Sequence, residues 1–203
     1  MLNQFKNISC YEEFEIQSTL TGISKVDILK EIGYKIDNYY FFISEDGIFN
    51  WFDLSGNHID DPCILKELKC EHIPVSITKC VIPNSVKNIG NEAFWDCSSL
   101  KEIVIPDSVT SIGYRTFSHC YSLKEIVIPN NVIYISSFAF SFCESLKEIT
   151  IPDNVKNIDY MVFLGCISLK EIIFKGKTLE EVKQMKNYPF GIKNESIIKC
   201  KMN

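Results

Sequence analysis

The phrase Leu-Lys-Glu-Ile occurs four times, at Leu100, Leu123, Leu146 and Leu169, always 23 residues apart. Cys97, Cys120, Cys143 and Cys166 keep the same step, as do Pro83, Pro106, Pro129 and Pro152. A fixed period of this length marks a solenoid, in which each unit is one coil whose apolar face stays open until a neighbour stacks on it. Aligning the four units that start at these prolines leaves seven columns that stay apolar, beginning at Val86, Ile89, Phe94, Cys97, Leu100, Ile103 and Ile105. Those columns point inward and supply a continuous core.

Within each unit, Glu102–Ile105 and its equivalents alternate outward and inward and are rich in β-branched residues, which predicts a short strand. Stacked over the coils, these strands form a parallel sheet. The proline after each one removes a ladder donor and fixes φ, so pairing ends there and the chain turns. Val109 and Ile112 follow too closely for a full helix, and predict a second short extended or 3-10 segment on the opposite wall.

Pro83–Leu100 carries the pattern Pro-x-Ser-Val-x-x-Ile-Gly-x-x-Ala-Phe-x-x-Cys-x-x-Leu, with Gly90, Ala93, Phe94 and Cys97 in place. It resembles the BspA-type class of leucine-rich repeats, and the resemblance covers roughly residues 75–175. Ser136 and Asp159 replace the glycine, and Thr116 and Val162 the alanine, so the later coils are expected to differ slightly at the glycine turn. The resemblance implies an α/β-type leucine-rich-repeat solenoid, right-handed, with short parallel strands on the concave face. It also implies a role in binding macromolecules rather than in catalysis.

Residues 1–60 do not follow the register and predict a small α+β N-terminal unit. Ser24–Tyr34 has helical spacing at Val26 and Leu29, with Ser24 as N-cap and Gly33 at the stop. Tyr39–Ser44 and Ile48–Leu54 read as strands joined through Glu45-Asp46-Gly47, and Ser55-Gly56-Asn57 breaks the second. Residues 61–203 are read as the solenoid: a degenerate first coil over 61–82 with its strand at Ile77–Ile82, four regular repeats over 83–174, and a C-terminal cap over 175–203. In that cap, Thr178-Leu179-Glu180-Glu181 is a capping box that opens a helix with Leu179, Val182 and Met185 on one side, and Ile197-Ile198 predicts a last short strand.

Nothing in the chain reaches the ~18 consecutive apolar residues of a membrane span, and the start Met1–Asn7 lacks a signal peptide's apolar core. The expected location is cytoplasmic. Four of the nine cysteines fall in one inward column, where stacked Cβ atoms run parallel and suit a disulfide poorly, so a ladder of reduced thiols is expected. The sequons at Asn7 and Asn194 then carry no meaning. Residues 1–60 hold −6 of the net charge of −5, and the remainder is +1. Arg115 is the single arginine, so no basic stripe for nucleic acid exists.

The outward strand positions form ladders: Lys101, Lys124, Lys147 and Lys170 beside Glu102, Glu125, Glu148 and Glu171, with Val104, Val127, Thr150 and Ile173 two residues on. Such ladders make either a solvated, self-compensated face or a partner-binding strip. Large residues in variable slots, Trp95, Arg115, Tyr121 and Phe142 foremost, add interface candidates, with Tyr114, Tyr134, Phe138, Tyr160 and Met161 around them. Cys63, Cys70, His72 and Cys80 lack the close pairing of a structural zinc site, and His119 reads as an exposed turn residue. No catalytic signature, cofactor motif or metal site is recognised. The expectation is a non-enzymatic protein-protein interaction module binding through the solenoid face and the acidic N-terminal unit. One alternative is a phage- or mobile-element-type intracellular inhibitor of a host nucleic-acid-processing defence complex; another is an exported adhesin.

Overall fold

The computed structural model describes residues 11–36, 38–60, 62 and 65–202. Met1–Asn7, with the Asn7 sequon, and Cys63 lie outside them. Two columns of short parallel strands build the solenoid. One wall stacks β5 (Glu67–Leu68), β7 (Asn88–Ile89), β9 (Ser111–Ile112), β10 (Tyr134–Ile135) and β12 (Asn157–Ile158) in that spatial order. These are the second segments predicted near Val109 and Ile112, and they are extended. The other wall holds β6 (Lys79–Val81) with β8 (Glu102–Val104), then β11 (Glu148–Ile151), β13 (Glu171–Lys175) and β14 (Ile198–Lys201).

Between the walls the seven apolar columns close the core. Phe94, Phe117, Phe140 and Phe163 are buried and stack ring on ring at 5.2, 5.4 and 5.9 Å. Beside them run free cysteines that are hydrogen-bonded: the thiols of Cys120, Cys143 and Cys166 donate to the carbonyls of Phe94, Phe117 and Phe140 at 3.3, 3.1 and 3.0 Å. Burial pushes Cys97 and Cys166 up to about 12, and Cys120 and Cys143 well above the ordinary thiol range. The column is thus held in the thiol form that its hydrogen bonds require.

The first coil reaches further back than its sequence register suggests. Leu68 pairs with Ile89, 21 residues on, whereas Lys79 pairs with Glu102, 23 on. Two residues are therefore missing from the turn between Ile73 and Ile77, and Leu65, Leu68 and Ile73 still enter the core. At the other end, Ile172 pairs with Ile198 at a step of 26, because α3 (Leu179–Gln184) enlarges the coil. Its capping box forms as predicted and Val182 is buried, but Leu179 is 38% exposed rather than inward.

The N-terminal residues form α1 (Tyr11–Thr21), α2 (Lys25–Ile32) and an antiparallel sheet of β1 (Tyr34–Ile36), β2 (Tyr39–Ile43), β3 (Phe49–Asp53) and β4 (His58–Ile59). Ser24 caps α2 and Gly33 ends it, as the spacing predicts. Strand alternation sends Phe41, Phe49 and Trp51 into the solenoid core, while Tyr40, Phe42 and Phe52 meet Phe14, Ile28 and Leu29 of the helices. The sheet is therefore a lid on the first coil. Gly47, at φ +82°, keys it in place: its carbonyl accepts from Val81 N at 2.8 Å, and a Cβ there would lie 2.6 Å from the Lys79 carbonyl.

Candidate protein-binding surface

Both walls expose side chains, and the wall of longer strands carries a groove of about 930 Å³ lined by Lys101, Glu102, Lys124, Glu125, Val127, Lys147, Glu148 and Thr150. Val104 is 52% and Val127 79% exposed, so two apolar positions stand open between the charged ladders. Ile173 does not join them. It is only 3% exposed, set between Thr150 of β11 and Lys199 of β14, and is core rather than contact surface. Glu171 is half-buried, while Glu102, Glu125 and Glu148 are exposed.

The ladders are less self-compensated than adjacent opposite charges suggest. Lys79–Glu102 at 3.2 Å is the one ion pair on this wall among the described residues, and Lys101, Lys124, Lys147, Glu125 and Glu148 make none. The wall is also interrupted. Glu125–Ile128 forms no strand, only a bridge from Val127 to Thr150, and no backbone hydrogen bond joins it to β8. Ile126 and Ile128 of this segment, though buried, line the groove beside Val127.

The turn side of the coils carries the variable slots. Glu92, Arg115, Phe138 and Met161 occupy one left-handed position per coil, and Asp96, His119, Phe142 and Gly165 a second. Side chains at such positions project from tight turns. Arg115 lies over the Tyr114 and Phe138 rings at 5.0 and 5.7 Å, and Phe138 meets Tyr160 edge to face. His119 is half-buried rather than exposed, because it stacks on Phe142 at 4.8 Å and bonds Ser118 Oγ through Nδ1 at 2.9 Å. Phe142 is itself half-buried. Trp95 at 47% and Tyr121 at 39% remain open. The strip and these slots occupy different sides of each coil.

A family model for the BspA type leucine rich repeat region matches residues 71–194 in six copies, more than half of the chain. The chain belongs to the BspA-type leucine-rich-repeat family. Solved structures similar to it include a leucine-rich repeat protein of T. pallidum, 35% identical over 49% of this chain and 46% of that one, with a TM-score of 0.48. The pneumococcal vaccine antigen PcpA is 22% identical over 80% and 37%, TM-score 0.55. A leucine-rich repeat protein of Eubacterium ventriosum is 19% identical over 85% and 44%, TM-score 0.58. The chain spans less than half the length of each of these three. A search of curated proteins returns no match. Members of this fold class are typically non-enzymatic binding modules that engage protein partners.

No described helix is long and apolar enough to cross a membrane. Of the cysteine and histidine group considered for metal, Cys80 is core and His72 Nδ1 accepts from Lys69 N at 3.2 Å. The left-handed turns and the interrupted wall are what sequence reasoning missed. The turns had a signal, since two columns vary freely in residue type, one of them supplying Gly165; the interruption had none.

Proposed function

We propose that this family member binds a partner protein through the interrupted strand wall, with Val104 and Val127 as the apolar contact and the flanking lysines and glutamates as the charged rim. The observation that carries this reading is the groove: exposed Val127 within it, exposed Val104 on the adjoining β8, and charges of both signs without ion pairs, over a segment joined to the wall by a single bridge. Buried apolar anchors supply most interface energy, and rim charges set orientation and register. The partner segment is accordingly expected to present alternating charges around a small apolar centre. The hydrogen-bonded thiol column supports a reducing compartment as the protein's place of work.

Affinity purification from the native host, comparing wild type with Val127→Asp, tests the reading. Val127 is exposed, so the variant keeps its circular-dichroism spectrum and melting temperature, and a protein retained by wild type is lost. Identical recovery from both would refute the assignment of the groove.

A further inference from the structure

On the turn side, rungs of backbone hydrogen bonds tie each coil to the next. Along one rung the N–H groups of Phe94, Phe117 and Phe140 donate to the carbonyls of Thr116, Ala139 and Val162 at 2.9, 2.8 and 3.0 Å, and Phe163 continues it to Phe190 at 2.9 Å. Along another, Asp96, His119 and Phe142 donate to Ser118, Ser141 and Leu164 at 2.9, 2.9 and 2.6 Å. Gly165 holds the fourth place there, and its N–H has no hydrogen-bond partner among the described residues. The cap, enlarged by α3, follows the last coil at Phe190 and then parts from it. Where the two separate, a cavity of about 420 Å³ lies between Leu164–Ile167 and Gly191–Asn194, with Gly165 in its lining. Small-molecule sites run about 300–1,000 Å³ and are mostly apolar with a few placed polar groups. Here Leu164, Ile167, Ile192 and Ile197 supply the apolar lining, and Lys193 is the one charged residue in it. Lys193 is exposed and makes no ion pair among the described residues. The acid closest to it in sequence, Glu195, accepts from the Tyr188 hydroxyl at 2.5 Å.

We propose that this cavity binds a carboxylate carried on a small apolar body, the carboxylate meeting the Gly165 N–H and Lys193, and the body resting against Leu164, Ile167, Ile192 and Ile197. Two observations set the sign of the ligand's charge. In the earlier coils the N–H equivalent to that of Gly165 points at a carbonyl of the next coil; at Gly165 the cavity lies on that side, and a backbone donor set apart from its acceptor requires another. An ammonium without a counter-charge favours the same kind of group. Hydrogen bonds to an ionised acceptor are about twice as strong as those between neutral groups, so a carboxylate gains from both donors. A cation of the same size would meet a donor and a like charge. The apolar walls contribute in proportion to the area they cover and are aliphatic, so they accept alkyl and aryl bodies alike. This cavity differs from the strand-wall groove in place and in ligand, and neither assignment depends on the other.

Methyl and amide nuclear magnetic resonance of the full chain, titrated with octanoate and separately with octylamine, tests this. Octanoate shifts the methyl signals of Ile167, Ile192 and Ile197 and moves the Gly165 amide proton downfield, and the shifts saturate below about 10 mM, as befits a ligand of this size. Octylamine, with the same chain and the opposite charge, leaves those signals in place over the same range. Lys193→Gln, at an exposed position, keeps the rest of the spectrum and weakens octanoate about fivefold, the upper range for one exposed charge pair. Shifts that fail to saturate overturn the proposal, and so does an equal response to octylamine, which would mark apolar partition alone. Shifts centred on Val104 and Val127 instead, or undiminished binding to the Lys193→Gln protein, overturn it too. The comparison of the two ligands on wild type stands without the variant, so a misfolded variant does not remove the test.

Discussion

His72 sits 9% exposed at the seam between lid and solenoid, edge-on to Tyr34 and Phe41 at 6.5 and 5.9 Å. Burial, more than its charged neighbours, holds its pKa below the ordinary 6.5; Glu71 opposes that shift and Lys69 adds to it. The folded protein therefore takes up this proton less readily than the unfolded chain. Its contribution is whole above the unfolded pKa and is lost as pH falls below about 6.5 toward the depressed folded value. Urea midpoints at a series of pH values should fall on the acid side of 6.5, and His72→Gln should flatten that part of the slope. Other residues follow a similar logic of place over type. Arg115, Phe138 and Phe142 adopt left-handed backbone that favours glycine, each costing about 1–2 kcal/mol, because every coil must turn at the same two points whatever residue stands there.

At the scale of elements, two segments of identical sequence have different fates. Lys101–Pro106 and Lys124–Pro129 both read Lys-Glu-Ile-Val-Ile-Pro, yet the first contains β8 and the second only a bridge at Val127. Alternation shows which residues face inward, but a strand also needs a partner at hydrogen-bonding distance. The helix α1 escaped sequence reasoning for a related reason. Among the described side chains of α1, Phe14 alone is buried, against Phe42 and Phe52, while Ile16 and Leu20 face out, so no apolar stripe announces the helix. The phenylalanine column, by contrast, was legible letter by letter. Phe117 stacks on Phe94 and Phe140, and Phe117→Ala should destabilise by about 3–5 kcal/mol in chemical denaturation, since rings on both sides limit collapse of the cavity.

At the scale of the whole molecule, lid and solenoid share one core. Phe41, Phe49 and Trp51 belong to the same buried cluster as Leu65, Leu68 and the repeat columns. Unfolding should therefore be cooperative across both. In a Trp95→Phe background, the fluorescence of Trp51, 2% exposed, should report the same midpoint as far-ultraviolet circular dichroism; separated midpoints would mean that the lid opens first. The repeat by itself determined the coils, the inward columns, the proline-ended strands and the capped final helix, because each follows from local periodicity read within one unit. Tertiary structure decided the rest: that β2 and β3 turn one face to the first coil, that Ile173 is covered while Val127 stands open, and that the wall is broken beside β8. Those outcomes depend on which neighbour each segment meets, and a 23-residue period that repeats the same letters cannot distinguish one neighbour from another.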